Sequence, residues 1–368
     1  MTLFKVLVLV LLLSVSSFAS ACTSFILKTV DNLPVYGRTL EWGAFDLHSN
    51  LLVVPRNQNY TSDLGKGIQG MSWKNKYGFV AINALDQPFV LDGMNEKGLT
   101  LGALYFPDFA EYQKQEDKYR SVSVNNIDFS SYILGNFERV EEVSAALQKI
   151  RVVSNVELEK IFGAPTDLHF VVTDKSGSSI VIEYTNGKLN IYDNTVGVMT
   201  NAPSYDWHLL NIRNYSQLSP FAQSEQIKVG NIMLKPFGQG SGMQGIPGDS
   251  TPPSRFIRAL AFKSSIIPLK TTDEAINEAS RVLNNFDIPK GVSREGDKEN
   301  FHMDYTQWSV IGDIDNLHYY WWTENNRRMR MIDLNKLDFD AANIIKVPLD
   351  KNKEQDVLEI NLSNTSHN

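Results

Sequence analysis

The stretch Ser17-Phe18-Ala19-Ser20-Ala21-Cys22-Thr23-Ser24-Phe25 holds the single cysteine of this 368-residue chain. Ahead of it stand Met1-Thr2-Leu3-Phe4-Lys5, an unbroken apolar run from Val6 to Leu13, and small residues ending in Ala19-Ser20-Ala21. A short positive start, a brief apolar core and small residues before the cut form a secretory signal peptide. Cleavage after Ala21 would make Cys22 the first residue of the mature chain. A lone thiol forms no internal disulfide, and in an oxidising compartment it is a liability unless it has a task.

A terminal cysteine carries nucleophile and base on one residue. Its thiol has a pKa of about 8.5 and its α-amine one of about 7.7–8.0, so the two are nearly matched. The amine can take the thiol proton near neutral pH and return it to a departing amine. This chemistry needs a processing event that ends at Cys22, and the leader supplies one. The leader also fits a lipoprotein lipidated at Cys22, although that signal prefers Leu where Ala19 stands. The two readings exclude one another, because lipidation blocks the amine that catalysis requires. A buried structural cysteine would leave the position of the only thiol a coincidence.

The apolar run from Val6 to Leu13 is far short of the roughly 18 residues that span a bilayer, and no later segment approaches that length. This excludes a transmembrane chain. A net charge of −7 argues against a nucleic-acid partner, which demands concentrated Lys and Arg. Hydrophobic content of 42% is ample for a large core.

Outward from Cys22, alternation predicts strands over 23–27, 35–42, 51–54, 79–83, 99–106, 168–173, 179–184 and 188–192. Asn186-Gly187 marks a tight hairpin between the last two. Helical spacing covers 127–136, 140–149, 206–214, 253–263 and 272–283, and strands return after Thr306. Strands in runs and helices in separate groups imply an α+β fold of antiparallel sheets covered by helices. The segment 351–368 is polar and reads as a surface tail.

Gly240-Ser241-Gly242-Met243-Gln244-Gly245 fits a dinucleotide fingerprint in letters only. Pro247, Pro252 and Pro253 follow, so no helix opens on the last glycine and a surface loop is the better reading. The six histidines show no metal-ligand spacing, and there is no G-x-S-x-G elbow. Neither a metal nor another cofactor is expected.

Cys22-Thr23-Ser24-Phe25 and Tyr36-Gly37-Arg38-Thr39-Leu40-Glu41-Trp42 resemble the choloylglycine hydrolase family. Matches continue in order through Asn95-Glu96-Lys97-Gly98-Leu99, Tyr105-Phe106-Pro107, Thr200-Asn201-Ala202-Pro203, Gly245-Ile246-Pro247-Gly248-Asp249 and Ser254-Arg255-Phe256. The resemblance spans the mature chain. It implies the four-layer αββα sandwich of N-terminal nucleophile hydrolases, as one domain over 22–350 behind a signal peptide over 1–21. It also implies a linear-amide C–N hydrolase, with homotetramers as the expected assembly.

By the resemblance, Cys22 is the nucleophile and Arg38 the arginine that favours its thiolate. Glu41 stands where many members carry Asp, and would orient the α-amine. Asn201 and the Tyr105 backbone N–H would bind the oxyanion, and Arg255 is the second active-site arginine. Trp42 would line an acyl pocket. Tyr105 replaces the Asn usual in bile salt hydrolases and matches the Tyr of penicillin V acylases. The implied substrate is therefore an N-acyl amide of the penicillin V or N-acyl homoserine lactone type. Conjugated bile salts come second. The leader resembles the Gram-negative, periplasmic or secreted branch.

Overall fold

A computed structural model describes residues 21–43, 45–162, 166–223 and 226–360. The leader over 1–20 and the last part of the tail, 361–368, lie outside these residues.

Among the described residues, fourteen strands form two large sheets. In chain order they are β1 (Cys22–Lys28), β2 (Pro34–Glu41), β3 (Asn50–Val54), β4 (Phe79–Ala84) and β5 (Phe89–Asn95). Next come β6 (Thr100–Tyr105), β7 (Leu168–Thr173), β8 (Ser179–Thr185), β9 (Lys188–Asp193) and β10 (Val198–Met199). The last are β11 (Thr306–Asp313), β12 (His318–Thr323), β13 (Arg330–Asp333) and β14 (Ile345–Pro348). One sheet runs β10-β1-β2-β11-β12-β13 and the other β9-β8-β7-β6-β5-β4-β3-β14. Every pairing in both is antiparallel.

The helices are α1 (Phe129–Asn136), α2 (Val140–Leu147), α3 (Val156–Phe162), α4 (Tyr205–Asn211), α5 (Pro252–Ser265) and α6 (Thr272–Leu283). Helices α5 and α6 cover the outer face of the first sheet, α1 covers the second, and β1 and β2 meet β6 between the sheets. The order helix, sheet, sheet, helix is the four-layer αββα sandwich. Its interior strands β1, β2, β4, β5 and β6 are buried almost end to end, because each has a layer on both faces. Residues 351–360 are exposed and carry neither helix nor strand. No helix among the described residues is long and apolar enough to cross a membrane.

Most expected elements appear within a residue or two of their predicted ends. Asn186 and Gly187 both take positive φ, 51° and 69°, as the two-residue turn between β8 and β9 requires. Gly240 and Gly245 flank a short 3₁₀ turn in a loop, with no strand-to-helix crossing. The central strand β5 was not expected. Phe89-Val-Leu-Asp-Gly-Met-Asn shows no alternation, and its Asp-Gly pair reads as a turn. Burial on both faces removes the alternation, and Asp92 is tolerated there only because of its partners.

Candidate active site

Antiparallel register sets the site. Cys22 opens β1 opposite Leu40 of β2, and Ser24 lies opposite Arg38. Alternation then puts Tyr36, Arg38 and Leu40 on the face toward the second sheet, and Gly37, Thr39 and Glu41 on the helix-covered face. Cys22 is 2% exposed, Arg38, Glu41 and Arg255 are wholly buried, and Asn201 is buried as well.

Arg38 Nη2 lies 3.8 Å from Cys22 Sγ. Its guanidinium enters where β5 and β6 part, donating to the main-chain carbonyls of Leu91 and Ala103 and to Asp92 Oδ2 at 3.2 Å. Trp308 packs its ring 5.2 Å below. Burial works against the charge, but the Cys22 sulfur, Asp92 and Tyr36 outweigh it and hold Arg38 above its usual value.

The Cys22 main-chain nitrogen donates to Asn201 Oδ1 at 2.6 Å. Here that nitrogen is the amide of the Ala21–Cys22 peptide, and it marks the place of the α-amine in a chain beginning at Cys22. Asn201 Oδ1 also accepts from Arg255 Nη2 at 2.7 Å, while Nδ2 donates to the Tyr105 carbonyl at 2.7 Å. Two donors on one side and a carbonyl on the other fix which way the amide points. Nδ2 keeps a second N–H for another acceptor. Phe106 N–H bonds Asp167 on β7's side, so the preceding residue, Tyr105, turns its own N–H and C=O to the opposite edge. That edge faces Asn201.

Arg255, on α5, ties the cluster together. It donates to Ser250 O, Cys22 O, Thr23 Oγ1 and Asn201 Oδ1. Burial pulls its value down, and Glu41 and Cys22 support the charge. Glu41 Oε1 accepts from Thr306 Oγ1 at 2.9 Å, and its N–H donates to Ala21 O at 2.8 Å. Burial pushes the Glu41 carboxyl up to about 8 against the pull of Arg255, Thr39 and Thr306. Trp42 follows at the strand end, edge-on to Tyr105 at 5.5 Å and to Phe45 at 5.6 Å.

Above Cys22 opens a pocket with about 490 Å³ of empty space, part of it open to solvent, walled by Trp42, Leu47, Leu91, Tyr105, Ile127 and Leu168. All seven residues singled out in the sequence converge here. The Cys22, Arg38, Asn201 and Arg255 contacts are direct, and Glu41 approaches from the helix-covered face through Thr306 and Arg255. Sequence reading missed Asp92, whose carboxylate meets Arg38, and His208, whose Nε2 lies 3.0 Å from Asn201 O. A lone acid inside the apolar run Phe89–Met94 was the available signal for Asp92. His208 gave none, since only the fold brings α4 under Asn201.

The arrangement offers a thiol beside a fixed cation, a nitrogen on the same residue, amide donors at the rim and an apolar pocket. Residues 22–347 match the family model of linear amide C–N hydrolases, choloylglycine hydrolase family. The chain is 34% identical to a bile salt hydrolase/transferase of Clostridium perfringens, over 88% of this chain and 95% of that one. It is 29% identical to a penicillin V acylase of Pectobacterium atrosepticum, over 88% and 84%. Among solved structures, a variant of the Clostridium perfringens conjugated bile acid hydrolase superposes with a TM-score of 0.78 at 31% identity, covering 92% of this chain and all of that one. The penicillin V acylase of Agrobacterium tumefaciens does so with a TM-score of 0.72 at 25% identity, covering 89% and 92%.

Proposed function

The chain belongs to the choloylglycine hydrolase family of linear amide C–N hydrolases, and from that premise we propose that a processed Cys22 cleaves N-acyl amides through a thioester acyl-enzyme. The observation that carries the reading is the placement of Cys22: sulfur 3.8 Å from Arg38 and main-chain nitrogen 2.6 Å from Asn201 Oδ1, under an apolar pocket.

The α-amine takes the thiol proton, and Arg38 favours the thiolate. Sulfur attacks the amide carbonyl, whose oxygen takes negative charge and accepts from Asn201 Nδ2 and the Tyr105 N–H. Such donors contribute on the order of 3–4 kcal/mol to the barrier. The amine returns its proton to the leaving nitrogen, and the acyl group stays on sulfur. Water, deprotonated by the same amine, then releases the acid and restores the thiol. Arg255 holds Cys22 and Asn201 in register. Glu41, bonded to Thr306 and close to Arg255, would orient the α-amine.

Among amides, an aryl or medium-chain acyl group suits the ring pair of Trp42 and Tyr105, which supports penicillin V or an N-acyl homoserine lactone. Identity to the Clostridium perfringens bile salt hydrolase/transferase favours conjugated bile salts as the second reading. Export through residues 1–21 to the periplasm or medium, with free Cys22 rather than a lipidated one, completes the proposal. Homotetramer assembly finds support in the hairpin of Ile227–Val229 with Ile232–Leu234, whose apolar side chains are all exposed.

The test is hydrolysis by the mature enzyme of penicillin V, N-acyl homoserine lactones of graded length, and glycine- and taurine-conjugated bile salts. Preferred turnover of the first two supports the main reading. Preferred turnover of bile salts selects the second, and turnover of none removes both.

A further inference from the structure

Asp92 lies behind Arg38 as seen from the Cys22 sulfur, and the mechanism above gives it no part. It is wholly buried in the centre of β5. Oδ2 meets Arg38 Nη1 at 3.2 Å and accepts from Tyr36 Oη at 2.7 Å, and Oδ1 accepts from Tyr319 Oη at 2.6 Å. Burial pushes the carboxyl up, and Arg38, Tyr319 and Tyr36 pull it back. Burial and Asp92 hold both phenols well above their usual value, so they remain donors. All three neighbours point donors at the carboxyl oxygens, and one of them is the fixed cation of Arg38, so the geometry suits the anion. Gly102 of β6 completes the cradle. A Cβ there would stand 2.4 Å from Tyr36 Oη and 3.2 Å from Asp92 Oδ2.

The carbonyls of Leu91 and Ala103 already fix the place of Arg38. What Asp92 adds is charge. A buried ion pair is rarely kept for stability, since desolvation offsets most of its attraction. Its effect falls on what Arg38 faces next, the Cys22 sulfur. An unopposed guanidinium would deepen thiolate stabilisation, and a more stable thiolate is a weaker nucleophile.

We propose that Asp92, held by Tyr36 and Tyr319, moderates the positive charge that Arg38 presents to the Cys22 sulfur and so sets the balance between thiolate population and nucleophilic strength. Asp92 acts through Arg38 and touches no substrate. The inference rests on the reading of Cys22 as nucleophile. The other charged or titratable groups about the sulfur are Arg255 from α5, Glu41 from β2, Tyr105 from β6 and the α-amine.

Cys22 is the only cysteine, so its alkylation by iodoacetamide reports its ionisation without a substrate. In mature Asp92→Asn, the amide oxygen can keep Tyr36 and Arg38 while the NH₂ turns to Tyr319 Oη. The inflection of alkylation rate against pH is then expected to fall by about one unit. The plateau rate above it should drop about threefold, following the nucleophilicity slope for thiols. A purely structural role would loosen Arg38 and raise the inflection, so an unmoved or raised inflection overturns the proposal. Tyr319→Phe keeps the test open if Asp92→Asn does not fold. Removing one donor concentrates the carboxylate charge on Arg38 and should raise the inflection; a fall or no change overturns the proposal. Alkylation of this pattern in an enzyme that hydrolyses no N-acyl amide would defeat the functional reading alone.

Discussion

Asn201 joins the nucleophile's residue, Arg255 and the Tyr105 edge. One side chain accepts from Cys22 N and Arg255, donates to Tyr105 O, and keeps one N–H for a developing oxyanion. Asn201→Ala is expected to lower kcat about 10²–10³-fold with little change in KM, as loss of an oxyanion donor does. Alkylation of Cys22 should persist, because the thiol and Arg38 remain. Steady-state kinetics with the best substrate of the panel check this; a kcat within a few-fold of wild type would remove Asn201 from the chemistry. At this scale the family motifs picked out Cys22, Arg38, Asn201 and Arg255, although the contacts that join them, such as Cys22 N to Asn201 Oδ1 and Arg255 to Cys22 O, span 179 and 233 positions. Glu41 was legible as the acid standing where many family members carry Asp, but neither its burial nor its partner Thr306, which arrives from a strand 265 positions away, was.

At the level of elements, the site depends on β5 and β6 splaying for Arg38 and on α4 packing under Asn201. His208 stacks on Phe256 of α5, with ring centroids 4.5 Å apart, and its Nε2 faces the Asn201 carbonyl. Nε2 therefore carries the proton, and Nδ1 has no hydrogen-bond partner among the described residues. Burial holds the imidazole down at about 4, against an ordinary 6.5. Between those values the unfolded state binds the extra proton and the folded state does not. Stability must therefore fall as pH drops from 6.5 towards 4, by about 2–3 kcal/mol from this group. His208→Phe keeps the stack and removes the titration. Thermal melts across that range should show a shallower acid slope than wild type; an identical slope would contradict the assignment. Helix α6 was readable because one face packs on the sheet and the other meets solvent, which preserves its periodicity. The strand β5 was hidden because burial on both faces erased its pattern and Asp92-Gly93 imitated a turn. The hairpins of 59–74 and 293–304 were hidden because their exposed residues carry little apolar signal.

For the whole molecule, the hairpin of 227–234 bears Ile227, Val229, Ile232, Met233 and Leu234, all exposed, and clustered exposed apolar residues are a common mark of a protein–protein contact. Replacing Ile232 and Leu234 by Lys is expected to shift sedimentation from a tetramer to smaller species while catalysis at Cys22 continues. A monomeric wild-type protein would contradict the assembly proposal. The account as a whole depends on one event, removal of everything before Cys22, because only then does the nitrogen beside Asn201 become a base. Its most direct test is the intact mass of the catalytically active protein. The account predicts a chain that starts at Cys22 with a free α-amine and gains one acyl mass at Cys22 when quenched during turnover. Full amidase activity from a chain that starts elsewhere, or whose Cys22 nitrogen is acylated, would contradict it.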